Sequence, residues 1–344
     1  MKKYLLPESG QFYKANIHCH STVSDGCLTP EQIKKAYMDH GYSVVAYTDH
    51  DVFIDHQDLT DENFVALNGY EMEINEATQE GRQRKCCHMC FVALKPDNLT
   101  QVCYHREKYV WGNALGYRNQ LKFDENLPDY EREYSAEKIS EMMKIGRENG
   151  FFVTYNHPAW SFETYPEYTA YQNMNAMEIV NYGCFNAGYN DYAPEVYDDM
   201  LRYGKCGKIY CVATDDNHNY SPLTSMKCDS FGGFIMIKSD KLEYQSITDA
   251  MVKGNFYASQ GPKIYSLVYE DGKLKIQTSD AESIFFTTGK RRTGVVQNSV
   301  MSDTVNYGEF EVKDTDIYVR VTVVSKDGKH ACTNAYFVDD LMKE

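Results

Sequence analysis

Short apolar runs in the first three-quarters of the chain are repeatedly followed by histidine or acidic residues, and this repetition is the strongest constraint on the fold. The runs alternate with segments of helical spacing. That alternation predicts an α/β fold with a parallel sheet, open or closed into a barrel. The predicted strands are 16–20, 43–48, 64–67, 89–94, 151–155, 176–180 and 209–213. In such folds the loops beyond the carboxyl ends of the strands form one face, where side chains from several strands meet.

Two of the connecting helices carry clear end signals. Thr29 suits the N-cap of the first helix, Pro30 its first position and Gly41 its end. A second helix is predicted between Ser135 as N-cap and Gly150 as stop, with apolar residues spaced for one buried face. These signals support the alternation of strand and helix.

Six histidines and three acidic residues are expected on that face. His18 and His20 have the i, i+2 spacing that points two strand side chains the same way, and Asp216 and His218 repeat it. A single pair of this kind is more often coincidence than a ligand pair. The nine candidates are His18, His20, Asp25, His50, Glu71, His88, His157, Asp216 and His218.

Such a cluster without metal would leave repelling carboxylates and unpaired imidazoles, which is costly in a buried site. Imidazole and carboxylate together suit Zn, Fe or Mn better than Ca or Mg. The sequence therefore predicts a site for divalent ions.

The net charge of the chain argues against two classes of binding partner. With 35 Lys+Arg and 50 Asp+Glu the formal net charge is −15. An acid excess argues against nonspecific nucleic-acid binding and against a polybasic membrane anchor. Residues 1–262 hold nine of the ten histidines and most of the net negative charge, so the chemistry is expected there. We expect a small phosphorylated substrate, no stable nucleic-acid partner and no membrane partner; the oligomeric state is left open.

The N-terminal residues and the cysteines indicate the cellular compartment of the protein. The first ten residues lack the apolar segment of a signal peptide, and no run is long enough to span a membrane. Eleven irregularly spaced cysteines in a long chain favour reduced thiols. We therefore expect a cytoplasmic protein.

Two further segments differ from this alternation. Residues 263–344 are dominated by short alternating runs with Asp-Gly turns, which predicts a small β-sandwich-like domain after a first domain of residues 1–262. Residues 96–134 break the pattern and contain Trp111; a surface insertion and a lid over the site are about equally supported.

Several short motifs stand in order along the chain, and together they resemble a known family. They are His18-x-His20-Ser21, Ser24-Asp25-Gly26, Thr48-Asp49-His50-Asp51, Gly69-x-Glu71, His88, Asn156-His157-Pro158 and Asp216-x-His218. The resemblance is to the PHP (polymerase and histidinol phosphatase) superfamily of metal-dependent phosphoesterases. It covers about residues 15–262 and implies a distorted (β/α)7 barrel with a trinuclear metal site, followed here by a small β-domain.

The resemblance also implies a distribution of ligands over three ions. His18, His20, Glu71 and Asp216 would hold the first, with Glu71 bridging to a second. His88 and His157 would complete the second site, and Asp25, His50 and His218 would hold the third.

The Ser-Asp-Gly form resembles a subgroup of small-nucleotide phosphatases, which weakly favours nucleotides. That subgroup often has a basic residue where Thr22 stands, so phosphate must be anchored elsewhere. The candidates are Arg82, Arg84, Lys85, Arg118 and Arg202.

The expected activity is hydrolysis of a small phosphate monoester, with a nucleotide as one candidate. A water bridging two divalent ions loses its proton near neutral pH and becomes the nucleophile. Asp216 is a candidate for orienting this water, while the general acid and the substrate-binding residues are not predicted. A metal-dependent amidohydrolase-type hydrolase and a non-catalytic metal-binding module are the alternatives. Cys87 and Cys90 form a lone CxxC, for which a zinc knuckle is the less favoured interpretation.

Overall fold

The computed structural model describes residues 2–77 and 84–343. Up to residue 259 its strands are β1 (Lys2–Tyr4), β2 (Gln11–Asn16), β3 (Val44–Tyr47), β4 (Val65–Asn75), β5 (Cys86–Ala93), β6 (Phe151–Tyr155), β7 (Ala176–Asn181), β8 (Tyr210–Thr214), β9 (Phe234–Ser239) and β10 (Phe256–Ser259). The helices of this part are α1 (Pro30–Asp39), α2 (Ala136–Glu148), α3 (Tyr165–Tyr168), α4 (Tyr182–Asn186), α5 (Pro194–Tyr203) and α6 (Tyr244–Val252).

Local signals fixed both predicted helices. The Thr29 side chain accepts from the backbone N–H of Gln32, whose own side chain reciprocates on the Thr29 N–H. The helix α2 begins after Ser135, whose hydroxyl caps the N–H of Lys138. Both predictions are confirmed because capping depends only on neighbours in sequence.

The sheet of the first part is mixed rather than all parallel. The strands β2, β3 and β4 run parallel, as do β6, β7 and β8, but β5 is antiparallel to both β4 and β6. The prediction of a parallel sheet is wrong at β5 because residues 76–85 are too few for the crossover that a parallel pair needs. The strand β9 is likewise antiparallel to β2.

Two strands differ from their predicted bounds. β2 ends at Asn16, so His18 and His20 follow the strand instead of lying in it. β4 extends to Asn75, which places Glu71 in mid-strand rather than at the strand end. Both errors arise because tertiary partners set strand ends: the half-polar β2 pairs with β9, and the second half of β4 pairs with β5.

Backbone contacts bring the ends of β2 and β8 together. Cys19 and Asn217 form an isolated parallel bridge, and the N–H of Asp216 donates to the carbonyl of His18 at 3.0 Å. One apolar cluster collects buried residues from seven strands, β2 to β8: Ala15, Val44, Val65, Val92, Phe152, Ala176 and Val212. The hydrogen-bonded order of the described strands runs from β14 to β8 without closing into a ring, so the (β/α)7 barrel stays a prediction.

The remaining strands form two layers over one core. They are β11 (Ile264–Glu270), β12 (Lys273–Ala281), β13 (Ser283–Thr288), β14 (Thr293–Gln297), β15 (Val305–Glu311), β16 (Tyr318–Val324), β17 (His330–Thr333) and β18 (Tyr336–Phe337), followed by the short helix α7 (Val338–Leu341). Leu267 and Leu274 of one sheet share an apolar cluster with Ile284 and Val321 of the other.

Both of these sheets take strands from earlier in the chain. β1 pairs with β11, and β17 pairs with β10 of the large sheet. The domain boundary at residue 262 stays a prediction. A search of the described residues for membrane-spanning segments finds no helix with the necessary length and apolar character.

Candidate metal centre

Nine predicted ligands converge at the place where β2 and β8 meet. They arise from the segments after β2, β3, β6 and β8, from the Ser24-Asp25-Gly26 turn, and from β4 and β5 themselves. Seven of the nine are at least nine-tenths buried, as is necessary if water is not to solvate the cluster freely: His18, His20, His50, Glu71, His88, His157 and Asp216.

Four side chains place their donor atoms at the corners of one small polyhedron. Nε2 of His18 lies 3.1 Å from Nε2 of His20, and each is 3.1–3.2 Å from Oδ1 of Asp216. The two oxygens of Glu71 lie 3.2 Å and 3.3 Å from the same nitrogens. An ion bound tetrahedrally at about 2.0–2.1 Å has ligand atoms about 3.3 Å apart. These four residues therefore fit a divalent ion without rearrangement.

Two further groups share members with the first. His50, Glu71 and His88 form one, and His20, Asp25, His50 and His218 form the other. The oxygens of Glu71 lie 3.2 Å from Nδ1 of both His50 and His88. A carboxylate shared between groups, such as Glu71, can serve two neighbouring ions because it has two oxygens.

His157 lies beside these groups rather than inside one. Its Nε2 is 3.4 Å from Oε1 of Glu71 and 3.8 Å from Oδ2 of Asp216. Nδ1 of His157 lies 3.2 Å from the hydroxyl oxygen of Ser161. Its Nε2 is thus aimed at the two carboxylates that the first ion would also use.

Among the described residues, two buried ring nitrogens form no hydrogen bond of acceptable geometry. They are Nδ1 of His20 and Nδ1 of His50, the second of which lies 3.2 Å from Glu71 without forming a hydrogen bond to it. Leaving a buried polar atom unpaired costs roughly 1–3 kcal/mol, so such atoms are rare unless a ligand satisfies them. His20 stacks between His50 and His218, with ring centroids 4.3 Å from each. These orphaned atoms are a second observation that fits bound cations.

The pKa values of the clustered histidines are shifted by burial and by neighbouring charged side chains. Burial alone would lower the pKa of His18, but the carboxylates of Asp216 and Glu71 raise it well above its usual range. The same balance raises the pKa of His20 to about 10. The pKa of His50 is lowered to about 4, by burial first and then by the neighbouring charge of His20. The protein without ions therefore holds protons between its carboxylates.

Glu178 supports the cluster and was not predicted. It is buried in β7, and its Oε1 accepts the Nδ1–H of His18 at 2.7 Å. It also accepts from the hydroxyl of Thr214 at 2.6 Å and from the backbone N–H of His157 at 3.0 Å. A carboxylate behind a ligating histidine fixes its tautomer and ring orientation. The only sequence signal was an acidic residue inside an otherwise apolar strand.

Two other buried carboxylates shape the loops. Asp49 accepts the backbone N–H and the hydroxyl of both Ser21 and Ser24, which fixes the turn that carries Asp25. Asp215 accepts three backbone N–H groups from the 231–233 segment and the hydroxyl of Tyr37. These bonds hold the loops that present Asp25, Asp216 and His218.

The 96–134 segment is attached to the site. Its Arg132, 4% exposed in its side chain, forms a bidentate ion pair with Asp51, the neighbour of His50. Arg132 also donates to the carbonyl of Glu73 on β4 at 2.8 Å and stacks over Tyr109 at 4.0 Å. The segment contributes Trp111, whose ring centroid lies 5.7 Å from that of His50. It therefore forms part of the wall of the site.

A cavity of about 430 Å³ opens above the candidate ligands. Its wall includes Asp25, Glu71, Asp216, Trp111 and Trp160, and among the described residues that line it there is no lysine or arginine. This volume lies in the usual range for small-molecule sites.

Four of the five predicted phosphate anchors do not line this cavity: Arg84, Lys85, Arg118 and Arg202 are absent from its lining. The fifth, Arg82, lies outside the described residues. Lys85 pairs with Glu167 at 2.5 Å, Arg118 donates to the carbonyl of Val110, and Arg202 donates to the carbonyl of Thr288. Sequence position gave no guide to these partners because they lie elsewhere in the fold.

The cysteines and two histidines outside the nine predicted ligands have structural surroundings. Cys90 accepts from the side-chain N–H of Asn156, Cys87 lies in the apolar core, and the metal-compatible groups among the described residues contain no cysteine. Cys19 is buried among apolar residues behind the cluster. His40 and His56 lie in ring stacks with Phe231 and Tyr47.

Comparisons with known proteins give structural likenesses only. No protein-family model matches the chain, and no curated protein matches its sequence. A two-domain protein from Bacteroides vulgatus containing a predicted PHP-like metal-dependent phosphoesterase is 14% identical, with a TM-score of 0.43 and 98% coverage of both chains. The family that its description states is the one that the motifs resemble.

Two further solved structures are similar over part of the chain. A presumed metal-dependent phosphoesterase from Bifidobacterium adolescentis, 14% identical, has a TM-score of 0.37 over 62% of this chain and 89% of its own. An amidohydrolase from Chromobacterium violaceum with bound sulfate and no metal, also 14% identical, has a TM-score of 0.35 over 59% of this chain and 87% of its own. At this identity and these TM-scores the likenesses do not assign an activity, which has to be inferred from the site.

Proposed function

We propose that the chain is a metal-dependent phosphoesterase that hydrolyses a small phosphate monoester at a site for three divalent ions. The observation that carries the proposal is the set of separations of 3.1–3.3 Å among donor atoms of His18, His20, Glu71 and Asp216. The order of the motifs and the overlap of three metal-compatible groups support it further. Zn, Mn and Fe are the proposed metals because the donors are imidazole and carboxylate.

Divalent ions held there would supply a nucleophile at neutral pH and neutralise the oxygens of a bound phosphate. The protein's own part is to fix the ligands. Glu178 holds His18 in one tautomer, and the side-chain amide of Asn181 donates to Oδ2 of Asp216 at 3.0 Å. With Oδ2 held in this way, Oδ1 of Asp216 faces His18 and His20. This arrangement supports the proposal that Asp216 orients a water at the ions.

The absence of lysine and arginine from the described lining favours ions as the phosphate-binding groups. A cavity of this size holds one small molecule. Both features agree with a small monoester better than with a polymeric substrate.

The test is phosphate release from a panel of sugar phosphates, nucleotides and alkyl phosphates with added Mn²⁺, together with metal analysis of protein purified without chelator. We expect turnover of at least one monoester and more than two divalent ions per chain. His20→Ala, which removes a ligand shared by two groups, should abolish phosphate release. His40→Ala, which removes an exposed histidine outside the site, is the matched control. Silence across the panel while an amide or lactam is cleaved would transfer the proposal to the amidohydrolase class, and fewer than one ion per chain would reject the trinuclear site.

A further inference from the structure

Three partly exposed aromatic side chains line the site cavity: Trp111, Trp160 and Tyr220. The chain has two tryptophans, and both line this cavity. Trp111 is 43% exposed and Trp160 is 36% exposed, although large aromatic residues are normally well buried. Tyr220, 69% exposed, also lines the cavity.

Each of these rings is fixed against a candidate ligand. Trp160 lies 5.1 Å from both His88 and His157 between ring centroids, in edge-to-face geometry. Tyr220 stacks on His218 at 5.5 Å. The backbone N–H of Trp160 donates to the buried carboxylate of Asp191, which anchors the turn that carries it. The aromatic walls are thus positioned by bonded elements on different sides of the cavity.

The charges of the cavity are unbalanced once the proposed ligands are set aside. Glu73 and Asp229 also line it, and neither belongs to the nine predicted ligands. Glu73 lies 3.5 Å from Nε2 of His88, which would be a neutral donor once His88 binds an ion. Asp229 accepts hydrogen bonds from the backbone N–H groups of His218 and Asn219, which are neutral donors. Three divalent ions (+6) held by Asp25, Glu71 and Asp216 (−3) would leave +3, which a phosphate dianion (−2) and a hydroxide nucleophile (−1) would balance. The charges of Glu73 and Asp229 would then face a lining whose described residues include no lysine or arginine.

We propose that the organic part of the substrate carries a positive charge, as an alkylammonium or quaternary ammonium group, and that Trp111, Trp160 and Tyr220 with Glu73 and Asp229 receive it. The inference rests on the proposed function for the phosphate end only. Tryptophan is the aromatic residue that attracts cations best, and quaternary ammonium groups are bound by such aromatic walls in general. A neutral alkyl group of the same shape gains the apolar contact but not the attraction to the rings and carboxylates.

The first test does not require activity or metal. Both tryptophans line the cavity, so intrinsic tryptophan fluorescence of the metal-free protein reports on its occupant. Titration with choline should give a saturable change with at least about fivefold tighter binding than the neutral isostere 3,3-dimethylbutanol, at ionic strength matched with KCl. Trp111→Leu and Trp160→Leu each leave one tryptophan as reporter and should each weaken choline binding, whereas His40→Ala should not. Equal affinity for choline and its isostere would overturn the inference. Unchanged choline affinity in each of the two single Trp→Leu variants would also overturn it.

The second test separates this inference from the proposed function. The metal-loaded enzyme is given phosphocholine and 3,3-dimethylbutyl phosphate, which share one shape and differ in charge. We expect kcat/KM to be at least about fivefold higher for phosphocholine, with the preference reduced toward one in Trp111→Leu. Equal turnover of the two esters would reject the cationic substituent and leave the phosphoesterase intact. Selective choline binding with no hydrolysis of either ester would keep the cationic substituent and reject the phosphoesterase.

Discussion

Ionised side chains are buried both where α5 meets β16 and at the candidate metal centre, and their hydrogen bonds differ. Where α5 meets β16, Asp198 accepts from the hydroxyl of Tyr318 and from Nε and Nη2 of Arg320, and Nη1 of Arg320 donates to Thr322. No atom of this junction cluster is among the orphaned buried atoms of the described residues. At the candidate metal centre, ring nitrogens of His20 and His50 are left without partners.

This difference separates a structural role from a binding role. Buried charges that complete one another's bonds join two layers and need nothing further. Buried charges that leave atoms unpaired beside a cavity remain costly until a ligand completes them. The junction cluster should therefore govern stability, and the metal centre should govern binding and turnover.

The largest expected effect is loss of turnover on removal of a shared ligand. His20→Ala or Asp216→Ala should reduce phosphate release below detection because each residue contributes a donor atom to the four-residue group. Far-UV circular dichroism should remain that of the unaltered protein. Activity that survives either change would show that the site is assigned wrongly, and His40→Ala serves as the control.

Breaking the junction cluster should lower stability and leave turnover unchanged. Arg320→Met leaves the buried carboxylate of Asp198 with only Arg202, 3.8 Å away, as a cation and should lower the free energy of unfolding by about 3 kcal/mol. Urea unfolding measures this loss, while kcat/KM should stay unchanged. The double variant Arg320→Met with Asp198→Leu should recover most of the stability, since no charge is then left unpaired. A large loss of kcat/KM at full stability would contradict the comparison.

A third buried carboxylate tests how stability depends on pH. Glu163 accepts from the hydroxyls of Tyr134, Tyr155 and Tyr171, and burial raises its pKa to about 7. Because the folded state favours the protonated form, this contribution to stability is full below about pH 4.5 and is lost as pH rises through about 7. The unaltered protein should therefore lose up to about 3 kcal/mol between these limits relative to Glu163→Gln.

Urea unfolding at pH 5 and pH 8 measures that difference for both proteins. Asp215, whose pKa burial also raises to about 7, is retained in both and cancels in the subtraction. Parallel pH profiles for the two proteins would show that Glu163 is ionised in the folded state throughout.

The smallest expected effect is on the residue behind His18. Glu178→Gln keeps the shape of the side chain but removes the charge that orients the imidazole, and should weaken metal binding about 10–100-fold. That equals about 1.4–2.7 kcal/mol. Competition with a chelator of known affinity measures it, with Glu195→Gln on the exposed side of α5 as the control. Unchanged affinity would show that His18 is oriented without Glu178.

The features that were predicted correctly depend on short stretches of chain. Thr29 with Pro30 and Ser135 began helices as expected because caps bond to residues three positions away. The strand at 151–155 was predicted with its bounds because its five residues, Phe-Phe-Val-Thr-Tyr, are all β-branched or aromatic. The mid-strand position of Glu71 and the end of β2 were missed because pairing with distant strands extends or ends them.

The side chains that were missed act through long-range contacts. Arg132 meets Asp51 across 81 positions, and Glu178 meets His18 across 160. Trp160 lies in a turn with no periodic pattern to place it over the site. Nothing in the local sequence specifies such partners, because each was free to pair with many other groups.

The sequence by itself determined which residues could bind metal, since histidine and acidic residues follow its apolar runs in a fixed order. Only the tertiary structure decided how they are grouped. The contact between Cys19 and Asn217 brings two distant motifs to within hydrogen-bonding distance, and the antiparallel register of β4 and β5 sets Glu71 beside His88. The physical reason is range: residue type and spacing fix chemistry locally, whereas separations of 3 Å between side chains far apart in sequence exist only once strands have paired.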